Sequence, residues 1–470
     1  MAHNSSFSHL SVDLDEYIRI WEWNDCAFLW HDLYTYAVYK NRLIEQILGF
    51  QENNLLCICE NGNYSFSLQR QEIESNKTRI LNFFLSSSYN NLTKGIKQIL
   101  TETKQLSWDT QFFDWKEKFE ELSGKFTKAA SHYFCTEAYY VDCIYDYLIH
   151  SGYTQEDVFQ FAVPDKMSSV VTEQKEWYEL LLRGYQKESA TPFIQKHWEK
   201  WKYIVASKSM NPYTTDNLHL RYEKDILNIE IVKQAYQEIK NHFSDESIEK
   251  IRNSSRDIFH DESYLLIERL REISYLRFEL RCVWMKTGYL LRMLLNTVFP
   301  NNKSVFERTA NEIINEEFDD WNDRQSFVYY SDTKKVLLFY NNTQEMLKFQ
   351  KEDSQKNSSD VLGRMSFGLD VSGYAYILGH NELLSQSLDL VNEDTILVLP
   401  QLCPEHVPLL SVCKGIVVDE PGIAGHASII AREMKKPAII GTINGTQRIK
   451  NNEYIRLDMA FNCVRRDNFV

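Results

Sequence analysis

One histidine in this 470-residue chain sits in a setting that could support chemistry. Residues 417–441 read Val-Val-Asp-Glu-Pro-Gly-Ile-Ala-Gly-His-Ala-Ser-Ile-Ile-Ala-Arg-Glu-Met-Lys-Lys-Pro-Ala-Ile-Ile-Gly. This pattern predicts a strand, a Pro-Gly loop and an amphipathic helix that begins at His426. The first turn of a helix leaves backbone N–H groups without intrahelical partners, and the helix dipole adds positive potential there. The N–H groups of Ala427 and Ser428 would therefore face negative charge on the His426 ring.

Such a setting suits a residue that carries a phosphoryl group. An imidazole nitrogen can attack phosphorus, and backbone donors then stabilise the phosphate that has been added. Gly422 and Gly425 keep the approach to His426 clear of side chains. On spacing alone, a helix-capping or packed histidine remains the alternative interpretation.

The same segment resembles the active-site signature of the PEP-utilising enzyme mobile domain, the swivelling module of pyruvate phosphate dikinase, PEP synthase and rifampicin phosphotransferase. That signature is roughly Gly-Gly-x-x-Ser/Cys-His-Ala-Ala-Ile-x-Ala-Arg-Glu-x-x-x-Pro-Ala-x-x-Gly. The residues that fall on it are Gly422, His426, Ala427, Ile429, Ala431, Arg432, Glu433, Pro437, Ala438 and Gly441. The similarity covers about residues 362–470, in family order. The resemblance implies that His426 is a phosphohistidine carrier.

Three positions depart from the family signature. Pro421 replaces the first glycine, Gly425 replaces the Ser or Cys before the histidine, and Ser428 replaces the second Ala after it. Gly425 removes a hydroxyl or thiol that could contact the phosphate, and the Ser428 hydroxyl could restore one. We expect an altered loop, with turnover altered as well.

Two charged residues follow the histidine on the predicted helix. Arg432 and Glu433 lie one to two turns beyond His426. We expect them to support the site by orienting the loop or a docked partner. A solvated or structurally paired surface is the alternative.

The composition of the chain changes twice along its length. Residues 1–350 are sparse in Gly and Pro and carry apolar residues at helical spacing, whereas residues 351–361 are polar and aperiodic, as in a linker. Residues 362–470 contain short apolar runs separated by Gly and Pro. We therefore predict an α+β multidomain protein, with a large, mainly helical domain that contains small hairpins, followed by a C-terminal swivelling β/β/α domain.

The periodicity also predicts individual elements. In the first part we expect a long helix over Ser263–Val298 and two hairpins, Leu55–Cys59 with Tyr64–Leu68 around Asn61-Gly62, and Phe327–Tyr330 with Val336–Tyr340. Nearly everything else there is predicted to be helical. In the last part the predictions are a turn at Asn444-Gly445 and strands at Tyr374–Leu378, Thr395–Leu399, Gly415–Val418, Ala438–Gly441, Tyr454–Leu457 and Cys463–Arg465.

The helical part resembles, more weakly, the acceptor-binding domain of rifampicin phosphotransferase and related antibiotic and amino-acid kinases. Arg277, Arg281 and Trp284 recur at i, i+4 and i+7 on one face of its long helix. Phosphoryl transfer needs positive groups against the equatorial phosphate oxygens, so Arg277 and Arg281 are candidates for the acceptor site. Pairing of these arginines with Glu272 or Glu279 on a solvated face is the alternative.

Net charge, hydropathy and cysteine content argue against several classes of protein. A formal net charge of −14 argues against a nucleic-acid backbone as the main partner. No stretch reaches the roughly 18 apolar residues that a membrane span needs, and residues 1–14 lack a signal-peptide core. Nine cysteines without a CxxC motif are typical of reduced thiols rather than of a disulfide framework or a metal site. We expect a cytoplasmic protein.

A nucleotide-binding part is not evident in the sequence. We find no Gly-x-x-x-x-Gly-Lys loop and no block ahead of the helices that fits an ATP-grasp domain. We therefore predict the phosphotransferase component of a split dikinase-like system. An ATP-grasp nucleotide-binding protein, which binds the Mg²⁺ and ATP, would charge His426, and His426 would pass the phosphoryl group to a small-molecule acceptor. A non-enzymatic phosphocarrier or regulatory protein, and a degenerate family member, are the alternatives.

Overall fold

We describe the chain from a computed structural model. It covers residues 17–23, 27–60, 63–106, 114–136, 138–184, 187–204, 214–227, 229–253, 261–300, 302–318, 327–331, 336–340, 360–378, 390–402, 406–420, 426–434, 436–442, 445–459 and 461–466. Residues 17–340 form a mainly helical unit and residues 360–466 a strand-rich unit, as the predicted α+β multidomain class requires. Among the helices described, none combines the length and the apolar composition that crossing a bilayer demands.

A five-stranded antiparallel sheet holds the two ends of the helical unit together. Its strands are β1 (Tyr17–Trp23), β2 (Leu55–Glu60), β3 (Asn63–Gln69), β4 (Phe327–Ser331) and β5 (Val336–Tyr340), in the order β1-β3-β2-β4-β5. Both predicted hairpins form, and β2 pairs with β4 so that they become one sheet. The turn Asn61-Gly62 lies outside the described residues. Strand β1 was not predicted, although five of its seven residues are aromatic or β-branched, because a register shift between Arg19 and Trp21 interrupts its alternation of polar and apolar residues.

Helices account for most of the other described residues of this unit. They are α1 (Phe28–His31), α2 (Ala37–Lys40), α3 (Leu43–Leu48), α4 (Arg70–Leu85), α5 (Ser88–Lys104), α6 (Trp115–Phe134), α7 (Ala138–His150), α8 (Gln155–Ala162), α9 (Ser169–Leu182), α10 (Lys187–Trp201), α11 (Thr215–Leu227), α12 (Ile229–His242), α13 (Asp245–Asn253), α14 (Asp261–Val298) and α15 (Ala310–Ile314). A π-helical segment, Asp32–Tyr36, joins α1 to α2, and a 3₁₀ turn, Lys303–Glu307, precedes α15.

The long helix α14 is the axis of the helical unit. It begins two residues before the predicted start and ends at the predicted Val298. Its apolar stripe, which includes Leu266, Leu280 and Leu294, is fully buried, and α5, α6, α8 and α9 pack along it. Apolar periodicity was a reliable guide here because one continuous stripe faces the core.

Helices α9–α12 enclose a second, smaller apolar core. Trp177, Leu181, Ile194, Tyr222 and Val232 are buried together there, separately from the main cluster. We call this group of helices the satellite bundle.

The strand-rich unit is built on an eight-stranded sheet. Its strands are β6 (Val361–Leu362), β7 (Arg364–Phe367), β8 (Val371–Ile377), β9 (Thr395–Leu399), β10 (Gly415–Val418), β11 (Ala438–Ile440), β12 (Tyr454–Asp458) and β13 (Cys463–Arg466), in the order β6-β13-β12-β8-β9-β10-β11-β7. The central strands β8 to β11 are parallel, and the flanking strands are antiparallel. Its helices are α16 (Val407–Val412), α17 (His426–Glu433) and α18 (Gly445–Arg448).

Both faces of this sheet are covered, which explains the uninterrupted apolar runs in the sequence. Ile396, Val398 and Val417 belong to the apolar core on one face, whereas Leu397 and Val418 belong to the core on the other, together with residues of α16 and α17. The predicted strands form with boundaries that differ by three residues at most.

Two local predictions need adjustment. Gly445, placed in the predicted turn Asn444-Gly445, begins the short helix α18, and Asn444 lies outside the described residues. Val361, placed in the predicted linker 351–361, pairs with Val464 in the strand-rich unit. Residues 351–359 are not described.

Candidate phosphocarrier site

The predicted carrier histidine is the first residue of helix α17. Strand β10 ends at Val418, and the chain returns as α17 at His426, so the strand-loop-helix order is the one that the sequence predicts. Residues 421–425, which include Gly422 and Gly425, lie outside the described part of the chain, as do the side chains of His426, Arg432 and Glu433. Their proposed roles remain predictions.

Helix α17 begins beyond the carboxyl ends of parallel strands. Strands β9, β10 and β11 run in the same direction, and α17 is the connection between β10 and β11. In sheets of this kind, ligands bind at the edge where the parallel strands end, because loops and helix N-termini gather there. His426 therefore lies beyond the carboxyl ends of the parallel strands, where bound anions are expected.

A buried carboxylate fixes the base of the loop that leads to His426. Asp419, which directly follows β10, is 2% exposed. It accepts hydrogen bonds from Thr442 Oγ1 at 2.6 Å and from the backbone N–H of Gly445 at 2.6 Å, and also from the backbone and hydroxyl of Thr446. The end of β10 is thereby tied to the first turn of α18. The sequence interpretation did not single out Asp419, although a polar residue that ends a fully apolar strand was a usable signal.

The inner face of α17 is packed firmly against the sheet. Ala427, Ile430 and Ala431 are buried. The hydroxyl of Ser428 is also buried and forms a 2.6 Å hydrogen bond with the hydroxyl of Ser366 on β7. Because this hydroxyl is engaged between the helix and the sheet, we do not retain the expectation that it replaces a lost phosphate contact. The prediction that the backbone N–H groups of Ala427 and Ser428 donate hydrogen bonds to a phosphate is unaffected.

The candidate acceptor-site arginines lie on α14, in the helical unit. The guanidinium of Arg277 lies 5.0 Å from the ring centroid of Tyr133 and donates to the Thr136 carbonyl at 2.5 Å. It thus binds the turn between α6 and α7. Arg281, one turn further along α14, is half-buried.

The two acidic residues weighed as alternative partners contact other groups. Glu272 forms an ion pair with Lys97 at 2.8 Å, and Glu279 accepts from the backbone N–H of Ser169 at 2.6 Å. The contacts described for these two carboxylates therefore do not support the alternative of a solvated Arg–Glu face.

The two units meet at α7 and β7. Arg364 on β7 lies 3.3 Å from Asp146 and 3.8 Å from Asp142, both on α7. Buried apolar side chains of the two units also belong to one continuous cluster. The edge of the sheet that carries α17 is thus close to the helical unit.

A comparison with known protein families identifies the strand-rich unit. Residues 391–460 match the family model of the PEP-utilising enzyme, mobile domain. This segment is similar to the PEP-utilising enzyme mobile domain, and we call the strand-rich unit that contains it the mobile domain. The match contains β9 to β12 with α16 to α18, and hence the whole strand-loop-helix segment around His426.

Relatives of the mobile domain carry names that refer to phosphoenolpyruvate. The chain is 37% identical over 71 residues to a probable phosphoenolpyruvate synthase of Methanothermobacter thermautotrophicus, which covers 15% of the chain and 10% of that protein. It is 35% identical over 74 residues to the phosphoenolpyruvate synthase of Pyrococcus furiosus, 16% of the chain and 9% of that protein. It is 30% identical over 136 residues to a phosphoenolpyruvate-protein phosphotransferase of Buchnera aphidicola, 28% of the chain and 24% of that protein.

The matched segments are a small part of these relatives. The chain spans about a tenth of the length of the phosphoenolpyruvate synthases that it matches. The matches support phosphotransfer through the mobile domain.

Proposed function

We propose that this protein is the acceptor-side component of a dikinase-like phosphotransferase, in which His426 carries the phosphoryl group. The observation that carries the proposal is the position of His426, at the first residue of α17 in a segment that matches the mobile domain. The dipole of α17 and the N–H groups of its first turn favour the anionic phosphohistidine.

The reaction would proceed in three displacements. A ring nitrogen of neutral His426 attacks the β-phosphorus of ATP, a P–N bond forms, and the P–O bond to the departing AMP breaks. Water then hydrolyses the ring-bound diphosphate to phosphohistidine and inorganic phosphate. An acceptor group then attacks the phosphohistidine, its proton is removed, and the P–N bond breaks to restore the imidazole. We propose that a separate ATP-grasp protein binds ATP and Mg²⁺, and that the mobile domain moves between this donor and the acceptor.

Several classes of small molecule could serve as the acceptor in this proposal. Sugars, amino acids, amides, antibiotics and carboxylates all supply an oxygen or nitrogen that can attack phosphorus. Arg277 and Arg281 are the residues that we propose to face the transferred group, because guanidinium groups bind phosphate oxygens in a bidentate manner.

A second candidate is a phosphocarrier that regulates a binding partner without acceptor chemistry. The packing around Trp284 favours it. Trp284 lies on the face of α14 that also carries Arg277, and its ring is stacked on Tyr133 with centroids 6.2 Å apart and also contacts Tyr34 and Phe126. Aromatic side chains therefore fill the space beside one of the candidate acceptor-site arginines.

Labelling of the histidine tests what both candidates share. The chain is incubated with a candidate ATP-grasp protein and with ATP labelled at its β- and γ-phosphates. We expect acid-labile, base-stable label on the parental protein and on the control variant His219→Ala, whose histidine lies in the satellite bundle. We expect none on His426→Ala, and label that persists there would overturn the proposal.

The labelled protein then separates the two candidates. Purified phosphoprotein is exposed to pools of the acceptor classes named above. Transfer of label to a small molecule, with loss from His426, supports the phosphotransferase. Retention of label against every pool, combined with a partner that binds the phosphorylated form alone, supports the regulatory carrier.

A further inference from the structure

One ion-pair cluster links the mobile domain to the helical unit. The guanidinium of Arg364 donates from Nη1 to Asp146 Oδ1 at 3.3 Å and from Nη2 to Asp146 Oδ2 at 3.4 Å. Asp142 Oδ2 lies 3.8 Å from the same Nη1. Asp142 and Asp146 are four residues apart on α7 and therefore share one face of that helix. Two carboxylates of one unit thus converge on one cation of the other.

The position of Arg364 in the sheet relates this cluster to His426. Arg364 pairs in register with Ile440, the last residue of β11, and Ile440 pairs with Val418, the last residue of β10. The segment that leads to α17 leaves the sheet immediately after Val418. Arg364 therefore lies at the edge of the sheet from which the carrier helix begins.

The pleat of β7 also places Arg364 on the side covered by α17. Side chains two residues apart on a strand point to the same face, so Arg364 and Ser366 share a face of β7. The hydroxyl of Ser366 bonds to Ser428 of α17. Helix α17 and the acidic face of α7 are therefore on the same side of the sheet.

The electrostatics favour a docked mobile domain. Burial alone would lower the pKa of Arg364, but the Asp142 and Asp146 carboxylates outweigh it and raise that pKa. Lys77 of α4 is 3.8 Å from Asp146 but is 2.8 Å from Glu74, so its charge is shared. Departure of Arg364 would leave two like charges one turn apart on α7, which is unfavourable.

The same contact is exposed enough to break. The side chain of Arg364 is 40% exposed and that of Asp146 is 30% exposed. Ion pairs of this exposure are screened by salt and contribute modestly. The movement that we propose for the mobile domain requires contacts of this reversible kind.

We propose that the face of α7 formed by Asp142 and Asp146 is the docking surface for the mobile domain. Arg364 is the residue that binds it, and it holds the edge that carries His426 against the helical unit. The functional meaning of this docked state rests on the proposed phosphocarrier role, but the docking itself does not.

Charge reversal in the full-length protein tests the docking. Arg364→Asp is expected to enlarge the radius of gyration measured by small-angle X-ray scattering in low salt, and Arg364→Asp with Asp146→Arg to restore the parental value. Arg456→Asp is the matched control, because Arg456 forms a 2.7 Å ion pair of similar exposure with Asp370 inside the mobile domain. It should leave the radius unchanged. An Arg364→Asp protein that scatters like the parental protein would overturn the proposal.

Cross-linking measures the same contact without charge reversal, and it therefore tests the docking even if Arg364→Asp impairs folding. Arg364→Lys supplies an amine that a carbodiimide can couple to a neighbouring carboxylate. We expect a cross-linked peptide joining residue 364 to α7, lost when Asp142→Asn and Asp146→Asn are added and lost in 1 M NaCl. Failure to form this cross-link in low salt contradicts the docking surface.

The two proposals fail separately. Scattering and cross-linking need no phosphoryl donor, so docking can hold even if His426 is never labelled. Conversely, label on His426 with unchanged scattering in Arg364→Asp would reject the docking surface and leave the carrier role standing.

Discussion

At the scale of single residues, Asp419 is the side chain that fixes the end of strand β10, seven residues before His426. It is buried, and its acceptor oxygens are satisfied by the hydroxyl and backbone donors of three residues, Thr442, Gly445 and Thr446. Buried donors that lose an ionised acceptor keep their desolvation cost, since water does not replace the partner.

Replacement of Asp419 should therefore be costly. We expect Asp419→Ala to lower the free energy of unfolding of the mobile domain by on the order of 3 kcal/mol, as measured by urea denaturation. Asp394→Ala is the control, because the Asp394 side chain is 70% exposed, and it should change stability by less than about 0.5 kcal/mol. Equal effects of the two substitutions would contradict the structural role of Asp419.

The sequence pattern pointed to His426 as a candidate but did not indicate the hydrogen bonds of Asp419 at the end of β10. His426 is recognisable because glycines, helix start and apolar periodicity all lie within a few residues of it. The partners of Asp419 are 23 to 27 residues further along the chain, and no local pattern indicates which distant donors a carboxylate will reach. The burial of the Ser428 hydroxyl was unpredictable for the same reason, since Ser366 is 62 residues away.

At the scale of elements, the satellite bundle is organised around a buried charge. Glu173 on α9 accepts hydrogen bonds at 2.9 Å from His197 on α10 and at 2.9 Å from Arg221 on α11. The Arg221 guanidinium also lies 4.5 Å from the ring centroid of Trp177. Three helices are thus joined through one carboxylate.

This carboxylate gives the bundle a predictable response to acid. Burial alone would raise the pKa of Glu173, but Arg221 and the His197 hydrogen bond lower it below its ordinary value of 4.5. Because the pKa of Glu173 is lower in the folded than in the unfolded state, its carboxylate stabilises the fold at pH values above the unfolded pKa. This contribution is lost as the pH falls through the folded pKa. We expect Glu173→Gln to reduce the free energy of unfolding by about 3 kcal/mol at neutral pH.

The difference between Glu173→Gln and the parental protein should shrink as the pH falls below about 4.5. Urea unfolding followed by circular dichroism at a series of pH values measures it. A difference that stays constant from neutral pH down to pH 3 would show that the Glu173 carboxylate does not contribute in this way.

Elements with a strong internal period were predictable, and elements defined by distant partners were not. Helix α14 and six of the eight strands of the mobile domain have continuous apolar patterns, so their positions followed from the sequence, whereas the short strands β6 and β7 were not placed. Strand β1 depends on β3, and the separate core of the satellite bundle depends on which helices meet. Neither the pairing of β1 nor the separate core of the satellite bundle can be inferred from a single short stretch of sequence.

At the scale of the whole molecule, the strands of the mobile domain pair with one another and not with strands of the helical unit, among the residues described. Every pairing described for the eight-stranded sheet joins two strands that both lie within residues 361–466. Helices α16 to α18 also come from this stretch. The unit therefore has its own sheet and, on one face of that sheet, an apolar core formed by its own residues.

A fragment of residues 360–470 should fold without the helical unit. We expect a single cooperative urea transition and a spectrum of mixed helix and strand by circular dichroism. A fragment without a cooperative transition would show that contacts with the helical unit are required. The reciprocal fragment, residues 1–350, controls for expression and solubility.

The arrangement of the two units could not have been inferred from composition. The change in Gly and Pro content indicated where one unit gives way to the next. It did not indicate that Arg364 would meet Asp146, because these residues are 218 positions apart and a surface Arg or Asp has many equally plausible partners.

The five-stranded sheet has a consequence for synthesis of the protein on the ribosome. Strand β2 has β3 as an early neighbour, but its other edge pairs with β4, which lies more than 250 residues further along the chain. At about 5 to 20 residues per second, that edge remains unpaired for roughly 10 to 50 s. Unpaired strand edges template association with other chains. Nascent or prematurely terminated chains that end before β4 would therefore be the species most in need of a chaperone.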